Sequence, residues 1–164
     1  MSVKSVLKGK KIHFIGIGGI SMSSLAAISK KRGYEVTGSD SAASPLTEKL
    51  TALYGIPVGI PQKEENLGQV DLVVFTAAIS EDNPELKLAR ERGIPTVTRS
   101  AFLGQLMKEY PVRLGVSGTH GKSSTTGMLA HIFMDAGMDP TIACGAEIPS
   151  VSSAYRLGAG EHFI

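Results

Sequence analysis

IHFIGIGGISMSSLAAISKKRGYEVTGSD, residues 12–40, is the stretch that decides the fold. An apolar run over 11–17 ends in glycine, and residues 20–31 follow with Leu25 and Ile28 at helical spacing among small side chains. This reads as a strand, a tight turn and a helix. Gly33 closes the helix, and 34–38 is a second strand ending at Ser39-Asp40. A strand, helix and strand within ~30 residues form a βαβ unit, whose two strands run parallel.

Outward from this unit the alternation continues. The pattern predicts a helix over 45–54, a short strand over 57–59 and a strongly apolar strand over 71–76. Asn83-Pro84 opens a helix over 85–92, followed by a strand over 95–98 and a helix over 101–108. Such alternation requires a parallel sheet covered by helices on both faces, so residues 1–109 read as an α/β, Rossmann-like domain. At Tyr110-Pro111 the pattern restarts, with a strand over 112–116, a lysine-bearing loop and a helix over 123–136 ended by Gly137. A strand over 141–144 and a loop-like stretch over 150–160 follow, and an apolar run begins at His162. Residues 110–164 therefore read as the truncated start of a P-loop ATPase domain, with two complete strands. The expectation is a piece of a longer protein whose second unit is poorly stable by itself. Packing on the first domain, or on a second copy of the chain in a homodimer, is what would order it.

Composition bounds the partners. The 164 residues are 42% hydrophobic and 20% charged, with a net charge of +2, which fits a soluble globular chain and lacks the basic stripe of a nucleic-acid binder. One cysteine, Cys144, cannot form an internal disulfide, and a reducing compartment fits. The polar, basic residues 1–11 are no signal peptide, and no run approaches the ~18 apolar residues of a membrane span.

Two glycine-rich loops carry the chemistry. In the first, Gly16 permits the turn and Gly18 lets backbone approach phosphate oxygens, while the amino terminus of the following helix offers unsatisfied N–H groups. Ser21 stands where a third glycine eases helix packing, and Asp40 is placed to accept hydrogen bonds from ribose hydroxyls. The loop by itself leaves open NAD, as in an oxidoreductase, and a nucleotide-sugar diphosphate, held by a ligase or by a catalytically silent module. In the second loop, Lys122 and Ser123 follow Gly121 after a strand, the arrangement in which an ammonium reaches β/γ-phosphate oxygens and a hydroxyl meets Mg²⁺. The usual glycine five positions before Gly121 is absent, since Val116 stands there. His120 reads as lining that loop, His13 as a satisfied side chain inside a strand, and His131 and His162 lack a partner at metal spacing.

Taken together, IHFIGIGGISMSSLA, GYEVTGSD, FTAAISEDNPE, GIPTVTRSAFLGQLM and GVSGTHGKSSTTGMLAHIF resemble the Mur ligase family in order and spacing over nearly the whole chain. The resemblance implies a cytoplasmic, ATP- and Mg²⁺-dependent enzyme of peptidoglycan synthesis that joins L-alanine to UDP-N-acetylmuramate through an acyl phosphate. By that resemblance Gly16, Ile17, Gly18, Gly19, Ile20, Ser21 and Met22 hold the diphosphate of UDP-N-acetylmuramate, with Ser39 and Asp40 near the uridine. Thr76, Ala77, Ala78, Ile79 and Arg99 line the same site. Gly118, Thr119, His120, Gly121, Lys122, Ser123 and Ser124 bind ATP, with Lys122 and Ser123 catalytic and Ser123 on the metal. Ser21 departs from the glycine usual in the family members it most resembles, and Ser123-Ser124 from their threonines. The resemblance places the acidic Mg²⁺ ligands, the ATP base pocket and the alanine site outside these residues, so the chain alone is expected to bind substrate without turnover.

Overall fold

The computed structural model describes residues 10–164 apart from Ser152. The chain divides into two compact units, the first ending at Gly104 and the second spanning Gln105–Ile164.

In the first unit the expected alternation forms β1 (Lys11–Ile15), α1 (Ile20–Lys31), β2 (Glu35–Ser39), α2 (Pro45–Tyr54), β3 (Val58–Gly59), β4 (Leu72–Phe75), α3 (Pro84–Glu91) and β5 (Thr96–Thr98). α4 (Arg99–Met107) begins two residues earlier than the pattern predicts and crosses into the second unit. A 3-10 turn at Glu64–Asn66, which no periodicity announces, precedes β4. The five strands form one parallel sheet in the order β3-β2-β1-β4-β5. From β1 the chain first builds toward β3 and then returns to add β4 and β5 on the other side. Right-handed crossovers in opposite directions place helices on both faces.

Side chains agree with that layering. Successive residues of a strand point to opposite faces. Ile15 and Val73 pack with Leu86 and Ala89 of α3, whereas the Phe14 ring meets Phe102 of α4 edge to face at 5.4 Å. Local signals set the helix starts. Ser44 caps α2 in a reciprocal capping box with Thr47, and Asn83 Oδ1 accepts from the amides of Glu85 and Leu86 at 3.0 and 3.1 Å to open α3.

The second unit holds β6 (Val112–Arg113), α5 (Lys122–Asp135), β7 (Ile142–Ile148), β8 (Ser153–Arg156) and β9 (His162–Phe163). β9 pairs in parallel with β6, and Thr141 bridges Phe163 in parallel on its other side. β9 is thus flanked on both sides by chain. Three expectations are corrected. β6 stops at Arg113, short of the predicted 116, β7 runs on to Ile148, past the predicted 144, and the stretch 150–160, expected to be loop, contains β8 antiparallel to β7. Ser153, Ala154 and Arg156 give no strand signal in the sequence; tertiary pairing with β7 and burial of Tyr155 create the strand.

Candidate functional site

The strand order of the first unit switches direction between β1 and β4, and ligands of open α/β sheets bind beyond the strand carboxyl ends at such a point. The loop after β1, the end of β2, the turn after β4 and the residue after β5 all lie at those ends. Gly16 adopts φ +80°, and a Cβ there would stand 3.1 Å from Thr76 Cγ2 and 3.4 Å from Ile79 Cδ1. The glycine is needed both for its left-handed backbone and for this close approach. Thr76 and Ile79 are half-buried against the loop, while Ala77 and Ala78 are exposed at the tip of the turn.

Backbone hydrogen bonds then show what the loop can offer a ligand. The Ser39 carbonyl accepts from both Gly16 N (2.9 Å) and Ile17 N (3.0 Å). Asp40 Oδ2 accepts from Gly18 N at 2.7 Å, and Gly19 N donates to the Gly16 carbonyl at 3.3 Å. The amides of 16–19 are therefore engaged inside the protein. Gly19 is the N-cap of α1, with no side-chain cap and no acidic residue in the first turn, which leaves the helix start suited to an anion. Arg99 Nη1 donates to Ser21 Oγ at 3.0 Å and brings a guanidinium to the same place. Ile17 and Met22 point their side chains into the core, so Met22 can reach a ligand only through its backbone. The sequence-predicted residues are brought together, but with divided tasks. Gly16, Ile17, Gly18 and Ser39 shape the loop, while Ile20, Ser21 and Met22 form the first turn of α1 and Arg99 bonds to Ser21 there.

In the second unit Gly118 has φ +154° and Gly121 φ +79°, and Gly121 caps α5 without a side-chain bond. Residues Gly118, Thr119, His120, Gly121, Lys122, Ser123 and Ser124 are all exposed. Lys122 Nζ donates to the carbonyls of Gly118 (2.7 Å) and Thr119 (3.2 Å), so the ammonium folds over its own loop. The Mur ligase family, catalytic domain, matches residues 11–111.

The chain belongs to the Mur ligase family.

UDP-N-acetylmuramate--L-alanine ligase of Clostridium tetani is 50% identical over 155 residues, covering 94% of this chain and 34% of that protein. The ligase of the same name from Acetivibrio thermocellus is 46% identical over 164 residues, 100% of this chain and 35% of that protein. This Mur ligase family chain thus spans about a third of the length of the curated relatives it matches. Among solved structures, UDP-N-acetylmuramate-alanine ligase MurC from Thermotoga maritima superposes with a TM-score of 0.86 at 35% identity, covering 94% of this chain and 36% of that one. A UDP-N-acetylmuramate:L-alanyl-gamma-D-glutamyl-meso-diaminopimelate ligase from Neisseria meningitides gives 0.85 at 30% identity, covering 94% of this chain and 51% of that one.

One polar cluster of this family member escaped sequence reasoning. His13, Ser39 and Glu85 are fully buried in the first unit. Glu85 Oε2 accepts from His13 Nε2 (3.1 Å) and from Ser39 Oγ in a short bond, while Oε1 accepts from Asn66 Nδ2 (2.9 Å) and Lys63 N (3.0 Å). An ionised carboxylate only accepts, so His13 carries a proton on Nε2, and its Nδ1 is hydrogen-bonded to the Thr37 hydroxyl at 2.8 Å. Burial pushes the Glu85 carboxyl up, but hydrogen bonds from His13, Ser39 and Asn66, with attraction to the His13 ring, outweigh it and hold the group below the ordinary carboxylate value. The available signals were the polar His13 inside an apolar strand and the glutamate immediately after Asn83-Pro84.

Proposed function

We propose that the chain supplies the UDP-N-acetylmuramate grip and the ATP phosphate loop of a cytoplasmic ligase that joins L-alanine to UDP-N-acetylmuramate in peptidoglycan synthesis. The observation that carries this reading is the Arg99 guanidinium, 3.0 Å from Ser21 Oγ at the uncapped start of α1. A fixed positive charge beside unsatisfied helix amides suits a diphosphate. Asp40, held on Gly18, stands on the rim as an acceptor for ribose or uracil groups.

In the reaction so proposed, a lactyl carboxylate oxygen attacks the γ-phosphorus of ATP and ADP departs. The alanine amine then attacks the acyl carbon, its nitrogen gives up one proton to solvent, and inorganic phosphate leaves, carrying the electron pair of the broken C–O bond. Lys122 serves the first step by leaving the Gly118 and Thr119 carbonyls for β/γ-phosphate oxygens. Ser123, exposed on the first turn of α5, offers one hydroxyl oxygen of the kind Mg²⁺ accepts alongside phosphate oxygens; when bound, that ion neutralises phosphate charge. Among the described residues no group of three or more His, Cys, Asp or Glu could hold a metal ion. By itself the chain grips substrate without turnover, and pairing with a second copy through the second unit belongs to the same proposal. No helix among the described residues is long and apolar enough to cross a membrane.

Titration calorimetry tests the reading. Saturable heat with UDP-N-acetylmuramate, competed by UDP and not by NAD, is expected. No saturable signal at millimolar ligand rejects it.

A further inference from the structure

We propose that Glu85 is a positioning residue for the glycine loop, acting through Ser39 to hold the site in its ligand-ready shape. The inference rests on the reading of that loop as a nucleotide diphosphate site. The Glu85 carboxylate is not hydrogen-bonded to Ile20, Ser21, Met22 or Arg99, yet it fixes the loop beside them. Its Oε2 clamps the Ser39 hydroxyl, and the carbonyl of that same Ser39 takes the amides of Gly16 and Ile17. Its Oε1 clamps Lys63 N and Asn66, the segment following β3. That segment reaches the loop by a second route through β3: Asn66 packs against Gly59, where a Cβ would stand 2.4 Å from Asn66 Cγ, the Gly59 carbonyl accepts from Asp40 N at 3.1 Å, and Asp40 Oδ2 accepts from Gly18 N. One carboxylate therefore holds Ser39 directly and supports the far side of Asp40, the two residues that together bind the amides of Gly16, Ile17 and Gly18.

The chemistry of the cluster argues for specificity of shape over bulk stability. Four donors fill the four lone-pair positions of the carboxylate, so it has one arrangement. A few ångströms away the same sheet face is closed by Ile15, Val73, Leu86 and Ala89, the apolar solution that stabilises a core without desolvating a charge. A buried ion beneath the loop is retained where the loop must not drift.

The test uses Glu85→Gln in this chain. The amide keeps the side-chain volume but removes the charge and replaces one acceptor oxygen by a donor, and His13 can meet it by moving its proton to Nδ1. Two readouts are taken, amide hydrogen exchange by NMR and calorimetry with UDP-N-acetylmuramate. Exchange at Gly16 and Ile17 is expected to accelerate about tenfold while Val73 and Val74 in β4 stay unchanged, and affinity is expected to fall about tenfold. A merely structural role would raise exchange across β1 and β4 together. If Glu85→Gln does not fold, Ser39→Ala removes one donor alone and is expected to move both readouts in the same direction by a smaller factor. Unchanged exchange at Gly16 and Ile17, or unchanged affinity in a variant whose parent binds, overturns the inference. If the parent chain itself fails to bind UDP-N-acetylmuramate, the functional reading falls, and the exchange pattern alone decides the role of Glu85.

Discussion

Arg99 Nη1 lies 3.0 Å from Ser21 Oγ although 78 positions separate the two residues in sequence. The bond joins the end of the β5 region to the first turn of α1, across the point where the strand order reverses. It holds the guanidinium where the diphosphate is proposed to sit. Arg99→Ala is expected to weaken UDP-N-acetylmuramate binding about 10- to 100-fold, the range of a lost charge-assisted hydrogen bond. Ser21→Gly keeps the guanidinium charge but removes the bond that holds it, and is expected to lower affinity less than Arg99→Ala does, by about threefold. Calorimetry on both variants checks the pair, and equal losses would mean that the guanidinium charge adds nothing beyond the Arg99–Ser21 bond.

Gly18 is confined by its neighbours. A Cβ on it would stand 2.8 Å from Asp40 Oδ2 and 3.0 Å from Thr47 Cγ2. Gly18→Ala must push Asp40 off the Gly18 amide or lift α2, and is expected to destabilise the first unit by about 1–3 kcal/mol in urea denaturation. Asp40→Asn keeps an acceptor for Gly18 N and is expected to cost less than Asp40→Ala. If Gly18→Ala and Asp40→Ala add without coupling, the contact is not what confines the position.

Acid stability should report Glu85. Its folded-state pKa lies below the ordinary value despite burial, so the native state binds this proton less readily than the unfolded chain. Its stabilisation is fully present above the unfolded pKa and is lost as pH falls through the lower, folded one. The groups facing it are the titratable His13 of β1, Ser39 of β2, Asn66 and the Lys63 amide. Glu81 and Asp82 shift the same way through Arg90 and Lys87, but those pairs are exposed and salt weakens them. In high salt, the parent is expected to lose stability below about pH 4.5 more steeply than Glu85→Gln. Parallel curves would show that the buried carboxylate does not titrate with unfolding.

The sheet was legible because its signals are local. Apolar runs, Gly33, Asn83-Pro84 and the loop at 16–21 each mark an element edge, and burial then follows from period. Local pattern could not reveal which loop amides were already engaged. The Ser39 carbonyl that binds Gly16 and Ile17 comes from the next strand, and its pairing depends on register between β1 and β2. The same holds for Glu85, whose partners are 72, 46, 22 and 19 positions away. β8 was missed for a related reason, because its strand character comes from β7 and not from its own residues.

α5 carries two large apolar side chains one turn apart into solvent, Met128 at 59% exposure and Ile132 at 61%. Exposed apolar surface of this kind favours association. The double variant Met128→Gln, Ile132→Gln is expected to bind less of a hydrophobic dye and to lose any concentration-dependent sedimentation of the parent, with its unfolding midpoint unchanged. A parent that sediments as a monomer at every concentration would remove the homodimer from the proposal.

Lys122 decides whether the second loop is a phosphate site. Its ammonium sits on two exposed carbonyls, Gly118 at 2.7 Å and Thr119 at 3.2 Å. Exposed contacts of this sort are worth ~0–1 kcal/mol, little enough for a triphosphate to displace them. Lys122→Met should therefore leave thermal stability within about 2 °C of the parent, since a shift of ~1 kcal/mol moves the midpoint by only a few degrees at this size. Against a phosphate chain the lost charge matters more, and ATP binding is expected to weaken at least about tenfold. UDP-N-acetylmuramate binding should remain within about twofold, because its proposed contacts all lie in the first unit. Calorimetry with each nucleotide separates the cases. Loss of both ligands together would show that the lysine supports the fold, and retention of ATP affinity would leave the loop a glycine-rich turn with no nucleotide to hold.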